Sequence, residues 1–336
     1  MSLSERMTRQ YFIDRLCTCV ILATLLSSAC ASEEPATAAS NAGDRGATGL
    51  DNPTGLAGSG SNSADEVPGS GPPPAVGSSS EVCDGVDNDS NGIIDDVDAE
   101  GDGVCDCLNI ATIGQIGPWS NGGNVFKSWL DARSPQRAVE LGDQVLTDEL
   151  LSKLQVIVVL YAATFEVNGN NNQAVPAHHA FSDAEVAAFQ RWVERGGGVM
   201  TTTGYTSDEA RENMNVNRLL APFGIGYSDT KLDVDGYIRN WSSHPLSSGV
   251  MNINTMNGVE PTTTTGVTVA RDQANHVALQ ASEAKLGHVV VWGDEWITYD
   301  SQWTMVQDQQ VERLWLNIFK WLSPAKVCQV PIKGPQ

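Results

Sequence analysis

Residues 182–203 read Ser-Asp-Ala-Glu-Val-Ala-Ala-Phe-Gln-Arg-Trp-Val-Glu-Arg-Gly-Gly-Gly-Val-Met-Thr-Thr-Thr, and the change of pattern within them decides the fold. Ser182 is an N-cap and Glu185 completes a capping box, so a helix is predicted over 183–195. Val186, Phe189, Trp192 and Val193 recur at helical spacing and form its buried face. Gly196 to Gly198 stop the helix, and Val199 to Thr202 read as a strand. Outward from this unit, 156–161 reads as an apolar strand, 148–154 as a short helix, 137–141 as a strand, 123–132 as a helix and 108–114 as a buried strand. On the other side a helix is predicted over 217–221, strands near 267–271, 277–280 and 288–292, and a last helix over about 307–322 burying Val311, Leu314, Trp315, Ile318, Phe319 and Leu322. Strands alternating with helices at this spacing imply an α/β domain over 108–323, its largely parallel sheet covered by helices on both faces.

Several short pieces of that domain carry a family resemblance. Val156-Ile-Val-Val-Leu-Tyr161, Glu194-Arg-Gly-Gly-Gly-Val-Met-Thr-Thr-Thr-Gly-Tyr205, His244-Pro-Leu-Ser-Ser-Gly-Val250, Gly287-His-Val-Val-Val-Trp-Gly-Asp294 and Asn317-Ile-Phe-Lys-Trp-Leu322 resemble the class I glutamine amidotransferase-like superfamily. The likeness is to its non-catalytic branches related to trehalose-utilisation-type proteins, and it implies a flavodoxin-like fold. Amidotransferases place a nucleophilic Cys on the turn after the strand that starts at Val199, where this chain has Thr201, Thr202 and Thr203. No Cys lies between Cys107 and Cys328, so glutaminase chemistry is not expected and no catalytic residue is assigned.

In parallel α/β sheets ligands gather beyond the carboxyl ends of the strands. Thr164, Thr203, Tyr205, Asp294, Glu295 and Trp296 are expected at that rim. Two carboxylates beside an aromatic suit a bound sugar or an acid–base pair, whereas a Gly293-Asp294 turn that caps the strand is the plainer reading. His178 and His179 fall in a polar loop, 168–181, long enough to form a flap; as metal ligands they would need partners that the sequence does not reveal, and a surface loop is the plainer reading because adjacent side chains seldom ligate one ion together.

Ahead of the domain, residues 83–107 are rich in Asp, Gly and Cys. Counted from Asp87, oxygen ligands fall at Asp87, Asp89 and Asn91 in positions 1, 3 and 5, with Gly92 at 6, the Ile93 carbonyl at 7, Asp95 at 9 and Asp98 at 12. This is calcium-loop spacing, in which alternate side chains point inward and glycine takes the sharp bend. Ile94 supplies the small apolar contact such loops make, and Asp98 in place of Glu shortens the last ligand's reach. Five hard oxygen side chains with no His or Met select calcium over softer metals. A second, incomplete register runs from Asp98 through Glu100, Asp102 and Gly103 towards Asp106. The stretch resembles thrombospondin type 3 repeats, dockerin loops and a short Asp-rich metal-binding motif of large secreted bacterial proteins.

The first 29 residues place Arg6, Arg9 and Arg15 before an apolar run from Cys17 to Leu26 and the small residues Ser27, Ser28 and Ala29, the order of a secretory signal. That run is shorter than the roughly 20 apolar residues a membrane span needs. Cys30 resembles the acylated cysteine of bacterial lipoproteins, although Leu26 stands four residues before it instead of three. The chain is then expected in the cell envelope, as an outer-membrane lipoprotein or at the cell surface, held to the membrane by lipid; without acylation it is secreted. Residues 31–80, almost all Ser, Ala, Gly, Pro, Thr, Asn and Asp, bury too little apolar surface to offset their ordering entropy and read as a disordered tether spanning roughly 40 Å.

The whole chain carries 20 basic and 41 acidic side chains, and loss of residues 1–29 removes three and two of them, leaving a net charge of −22. Clustered Lys and Arg are what phosphate recognition needs, so nucleic acid is not a partner. Of seven cysteines, Cys17 and Cys19 leave with the signal and Cys30 takes the lipid. Cys83, Cys105, Cys107 and Cys328 remain for two disulfides, with three possible pairings. Cys105 and Cys107 are each expected to find a distant partner, one being Cys328, which would staple the 324–336 tail to the start of the domain. Two functions follow: a calcium-stiffened, non-enzymatic surface module that presents the domain to a glycan or protein, or an extracellular carbohydrate hydrolase using Asp294 or Glu295.

Overall fold

The computed structural model describes residues 80–114, 122–164, 178–204, 206, 208–232, 236–304 and 308–329. The signal, Cys30, nearly all of the tether, Tyr205, most of the flap and the end of the tail lie outside them. Among the described residues no helix is long and apolar enough to cross a membrane.

The chain folds in the order β1 (Ile110–Ile113), α1 (Asn124–Ala132), β2 (Val139–Glu140), α2 (Asp148–Leu151), β3 (Val156–Val159), α3 (Asp183–Glu194) and β4 (Gly198–Thr201). It continues through α4 (Glu209–Glu212), α5 (Met214–Leu220), β5 (Ile225–Lys231), β6 (Gly236–Ile238), β7 (Asn240–Trp241), β8 (Ile253–Thr255) and β9 (Val259–Thr263). β10 (Val267–Arg271), β11 (Val277–Ala284), β12 (Gly287–Trp292), α6 (Asp300–Thr304) and α7 (Val311–Leu322) complete it.

One eight-stranded sheet runs β2-β1-β3-β4-β12-β11-β10-β7. Its first five strands are parallel and its last three antiparallel. The parallel half has the flavodoxin-like order 2-1-3-4-5, with β12 as its fifth strand. Two pairs, β5 with β9 and β6 with β8, stand outside it.

Every residue of β1, β3 and β4 is buried, as expected of strands covered on both faces. Alternate side chains divide between two cores. Val156, Val158, Met200 and Val290 pack with Phe126, Trp129, Leu314, Trp315 and Phe319 of α1 and α7. Ile157, Val159, Val199 and Val289 pack with Leu151, Phe189, Trp192 and Leu219 of α2, α3 and α5.

The capping box forms as read: the Ser182 hydroxyl accepts the Glu185 N–H, and the Glu185 carboxylate accepts the Ser182 N–H. Gly196, at φ 120°, ends α3 with its N–H on the Val193 carbonyl. Gly287 is required where β12 begins against the end of α3, because a Cβ there would sit 2.0 Å from the Val193 carbonyl oxygen. Ser182→Ala is expected to cost about 1 kcal/mol, read as a lower denaturant midpoint at unchanged slope.

The acidic segment shares the first of these cores. Val104, Cys105, Cys107 and Leu108 are buried within it. Disulfides join Cys83 to Cys107 and Cys105 to Cys328, so the two neighbouring cysteines take separate distant partners. Ile94 pairs with Val327, and the Cys328 N–H donates to the Ile94 carbonyl at 3.1 Å. The C-terminal end therefore lies along the acidic segment and is locked to it.

Candidate functional site

The acidic segment is built from two turns of the same design, eleven residues apart. In the first, Asp87 Oδ1 accepts the Asn91 N–H at 3.1 Å, Asp87 Oδ2 the Gly92 N–H at 2.9 Å, and Asn91 Oδ1 the Ile93 N–H at 2.8 Å. In the second, Asp98 accepts the Asp102 and Gly103 N–H groups at 2.8 and 3.0 Å, and Asp102 Oδ1 the Val104 N–H at 2.9 Å. Gly92 and Gly103 bend at φ 92° and 90°, the conformation that glycine adopts without a Cβ penalty. Short Asp and Asn side chains bind backbone N–H groups a few residues ahead, which is why this composition makes turns of this kind.

Beside the first turn the Asn91 amide donates to Asp89 Oδ2 at 3.1 Å and Asp96 Oδ2 at 2.9 Å. Carboxylate oxygens of Glu81, Asp89 and Asp96 lie within 4.8 Å of one another. They line a cleft of about 400 Å³ together with Ser80, Val97, Asp98 and Ala99. Glu81 Oε1 accepts the Asp89 N–H at 2.7 Å, while Glu81 Oε2 and Asp96 Oδ1 are buried atoms without a hydrogen-bond partner.

Of the expected ligands, Asp87, Asp89 and Asn91 share the first turn. Asp95, at φ 56°, turns its Oδ1 to the Asp84 and Gly85 N–H groups at 3.0 and 2.9 Å and so closes the turn after Cys83. Asp98 opens the second turn, and Ile93 meets the first through its N–H. Glu81 and Asp96 were missed by the spacing. Glu81 precedes the loop, and Asp96 is one residue past the position a calcium loop assigns.

In the second turn Arg133 supplies a cation from the domain. Its guanidinium pairs with Asp102, donates to the Trp129 carbonyl at 3.0 Å and lies 3.9 Å over the Trp129 ring. Burial, with Glu100 alongside, pushes the Asp106 carboxyl up to about 6.

Among the described residues of the expected rim at the carboxyl edge of the sheet, Thr203, Asp294 and Glu295 are buried. Thr164 is half-buried after β3. Thr203 is 1% exposed and donates to Asn213 Oδ1 at 2.5 Å. Asp294, 1% exposed, accepts the Trp296 N–H at 3.0 Å and the Met256 N–H, capping the 3-10 turn Glu295–Thr298. Burial pushes its carboxyl well above the usual range, with the two N–H groups opposing. Glu295, 3% exposed, accepts the Tyr299 hydroxyl at 2.9 Å. Tyr161 donates to Glu212 Oε2 at 2.5 Å, and burial, with Glu212 next, raises its phenol. Each of Tyr161, Thr203, Asp294 and Glu295 thus has a hydrogen-bond partner of its own, as buried polar groups usually do.

No family model matches this chain, and no curated protein matches it. Among solved structures, the cytoplasmic protein STM3548 of Salmonella typhimurium superposes with a TM-score of 0.47 at 15% identity, over 65% of this chain and 100% of its own. The mmIFT52 N-terminal domain gives 0.48 at 16% identity, over 63% and 96%. The cytoplasmic protein STM1381 of Salmonella typhimurium LT2 gives 0.48 at 15% identity, over 64% and 100%.

Proposed function

We propose that the chain is an exported surface protein in which a calcium-binding acidic segment joins a tether to a non-catalytic α/β binding module. The observation that carries the calcium reading is the meeting of Glu81, Asp89 and Asp96 in one cleft, with Glu81 Oε2 and Asp96 Oδ1 buried and unpartnered. Carboxylates this close repel unless a cation lies between them, and oxygen-only donors at flexible spacing suit calcium. Asp87 and Asn91 shape the turn that presents them, and the disulfides hold both of its ends. Arg133 already balances Asp102 in the second turn, so one calcium per chain is expected.

The Arg-rich apolar leader, Cys30 and the 31–80 tether support export and lipid attachment to a membrane of the cell envelope. The 2-1-3-4-5 parallel order and the three threonines after Val199 and Met200 support a degenerate amidotransferase-like domain with a glycan or protein partner. Burial of Asp294 and Glu295, both engaged with their own backbone or neighbours, favours this reading over the hydrolase.

Thermal unfolding in calcium and in excess chelator tests the proposal. Calcium at 100 times its dissociation constant is expected to add about 2.7 kcal/mol, and Asp89→Ala to abolish the gain. A midpoint indifferent to calcium would sink it.

A further inference from the structure

His178 and His179 alone offer too few donors to hold an ion, and the fold supplies what the sequence lacks. The turn after β2 carries Asp143, and the approach to α3 carries both histidines. The His178 N–H donates to the Ala163 carbonyl just beyond β3 at 2.7 Å, and Asn215 Nδ2 joins the Ala162 and His179 carbonyls at 2.9 and 3.0 Å. The group therefore sits off the carboxyl ends of the parallel strands, where such sheets place ligands.

One donor atom from each of Asp143, His178 and His179 lies within 4.8 Å of the others. Asp143 Oδ1 is 3.8 Å from His178 Nε2 and 3.6 Å from His179 Nδ1, and it also accepts the His179 N–H at 3.2 Å. His179 Nε2 lies 2.8 Å from Glu185 Oε1, an acceptor, so Nδ1 presents its lone pair; that atom is buried and has no hydrogen-bond partner. His178 Nδ1 lies 3.0 Å from the His179 carbonyl and Nε2 2.9 Å from the Gly142 carbonyl, so either nitrogen has an acceptor for its proton, and a metal at Nε2 leaves the proton on Nδ1 facing the His179 carbonyl. An unpartnered ring nitrogen, a second imidazole, a carboxylate and a carbonyl thus converge on one point, an arrangement that a cation suits.

Glu185 is the orienting group. Its oxygens accept the Leu146 N–H at 3.1 Å, the Ser182 N–H at 2.9 Å and the Ser182 hydroxyl at 2.8 Å besides the His179 ring. A carboxylate that fixes a ligating imidazole from behind is the recurrent outer shell of metal sites. Phe181 holds both rings, with centroids 4.9 and 5.3 Å away.

We propose that Asp143, His178 and His179 form a site for a divalent transition ion of the zinc class, separate from the oxygen-only acidic segment. Imidazole nitrogens with one carboxylate suit zinc and not calcium. Tetrahedral zinc with bonds near 2.0–2.2 Å sets its ligands about 3.3–3.6 Å apart, so the two Asp143 spacings of 3.8 and 3.6 Å close by a few tenths of an ångström. Three side chains leave the fourth position to the Gly142 carbonyl or to water, and Asp143 itself is exposed.

The test titrates the oxidised chain, in excess calcium to occupy hard-oxygen sites, with zinc and separately with cobalt(II). One saturable equivalent of zinc that calcium does not displace is expected, together with the intense visible absorption of four-coordinate cobalt. Asp143→Asn and His179→Gln are each expected to weaken zinc at least tenfold, and Glu185→Gln by about 10–100-fold, with unchanged far-ultraviolet dichroism. Asp89→Ala leaves zinc affinity unchanged, which separates this site from the calcium proposal. Absence of saturable zinc binding, or affinity indifferent to both Asp143→Asn and His179→Gln, overturns the inference and assigns the lone pairs a shared proton instead.

Discussion

Replacing Cys105 and Cys328 together by alanine is expected to lower stability by about 4–5 kcal/mol, because the bridge closes a long loop of the unfolded chain. The two cysteines are 223 residues apart, against 24 for Cys83 and Cys107. Loop-closure entropy grows with the logarithm of separation, so the shorter bridge contributes less, about 3 kcal/mol. Both sulfurs of the long bridge sit about the Asp95 carbonyl, at 3.1 and 3.0 Å, within the core that α1 and α7 share with the acidic segment. At a few degrees per kcal/mol for a domain of this size, the double variant is expected to melt roughly 10–15 °C lower. A loss below that of the Cys83/Cys107 double variant would show that the C-terminal staple is incidental to the fold.

Trp315→Ala is expected to cost about 4 kcal/mol, the range for emptying a fully buried aromatic site. Trp315 has no exposed surface, lies 4.3 Å from the Phe126 ring and donates its indole N–H to the Ile297 carbonyl at 3.0 Å. The cavity would open between α1 and α7, where Trp129 and Phe319 also meet it. Trp321, half-buried on the same helix, is the control: its truncation is expected to cost less than half as much. Urea unfolding of the two variants checks the ranking.

The elements legible in the sequence are those whose signal is local. α3 announced itself through Ser182, Glu185 and the Phe189/Trp192/Val193 stripe, and β3 and β4 through short apolar runs between turn residues. The antiparallel half of the sheet was not legible in orientation. β11 and β12 are joined by Lys285 and Leu286, with Lys285 at φ 57° in place of the Asn or Gly that marks such a hairpin. Residues 225–263 gave no strand signal, because their pairings are distant, as in Ile225 with Thr263, and their Thr, Ser and Asn composition lacks alternation.

The acidic turns were legible because Asp, Asn and Gly at fixed offsets dictate their own hydrogen bonds. Glu81 and Asp96 were not, since they fall outside the loop spacing and are held near Asp89 by the Asp89 N–H and by the Asn91 amide. Glu185 read as half of a capping box, and only the fold reveals that its remaining oxygen holds His179. Asp143 lies 35 residues before His178 in a turn with no distinguishing pattern, so its place beside the histidines comes from the parallel crossover alone.

The most direct test of the calcium account is a calorimetric titration of the oxidised chain with calcium, alongside Asp89→Ala and Asp96→Ala. The account predicts saturable binding of one calcium per chain that both substitutions abolish while the α/β domain stays folded. No saturable heat, or binding that survives both substitutions, would contradict it and reduce the acidic segment to a disulfide-locked extension of the domain.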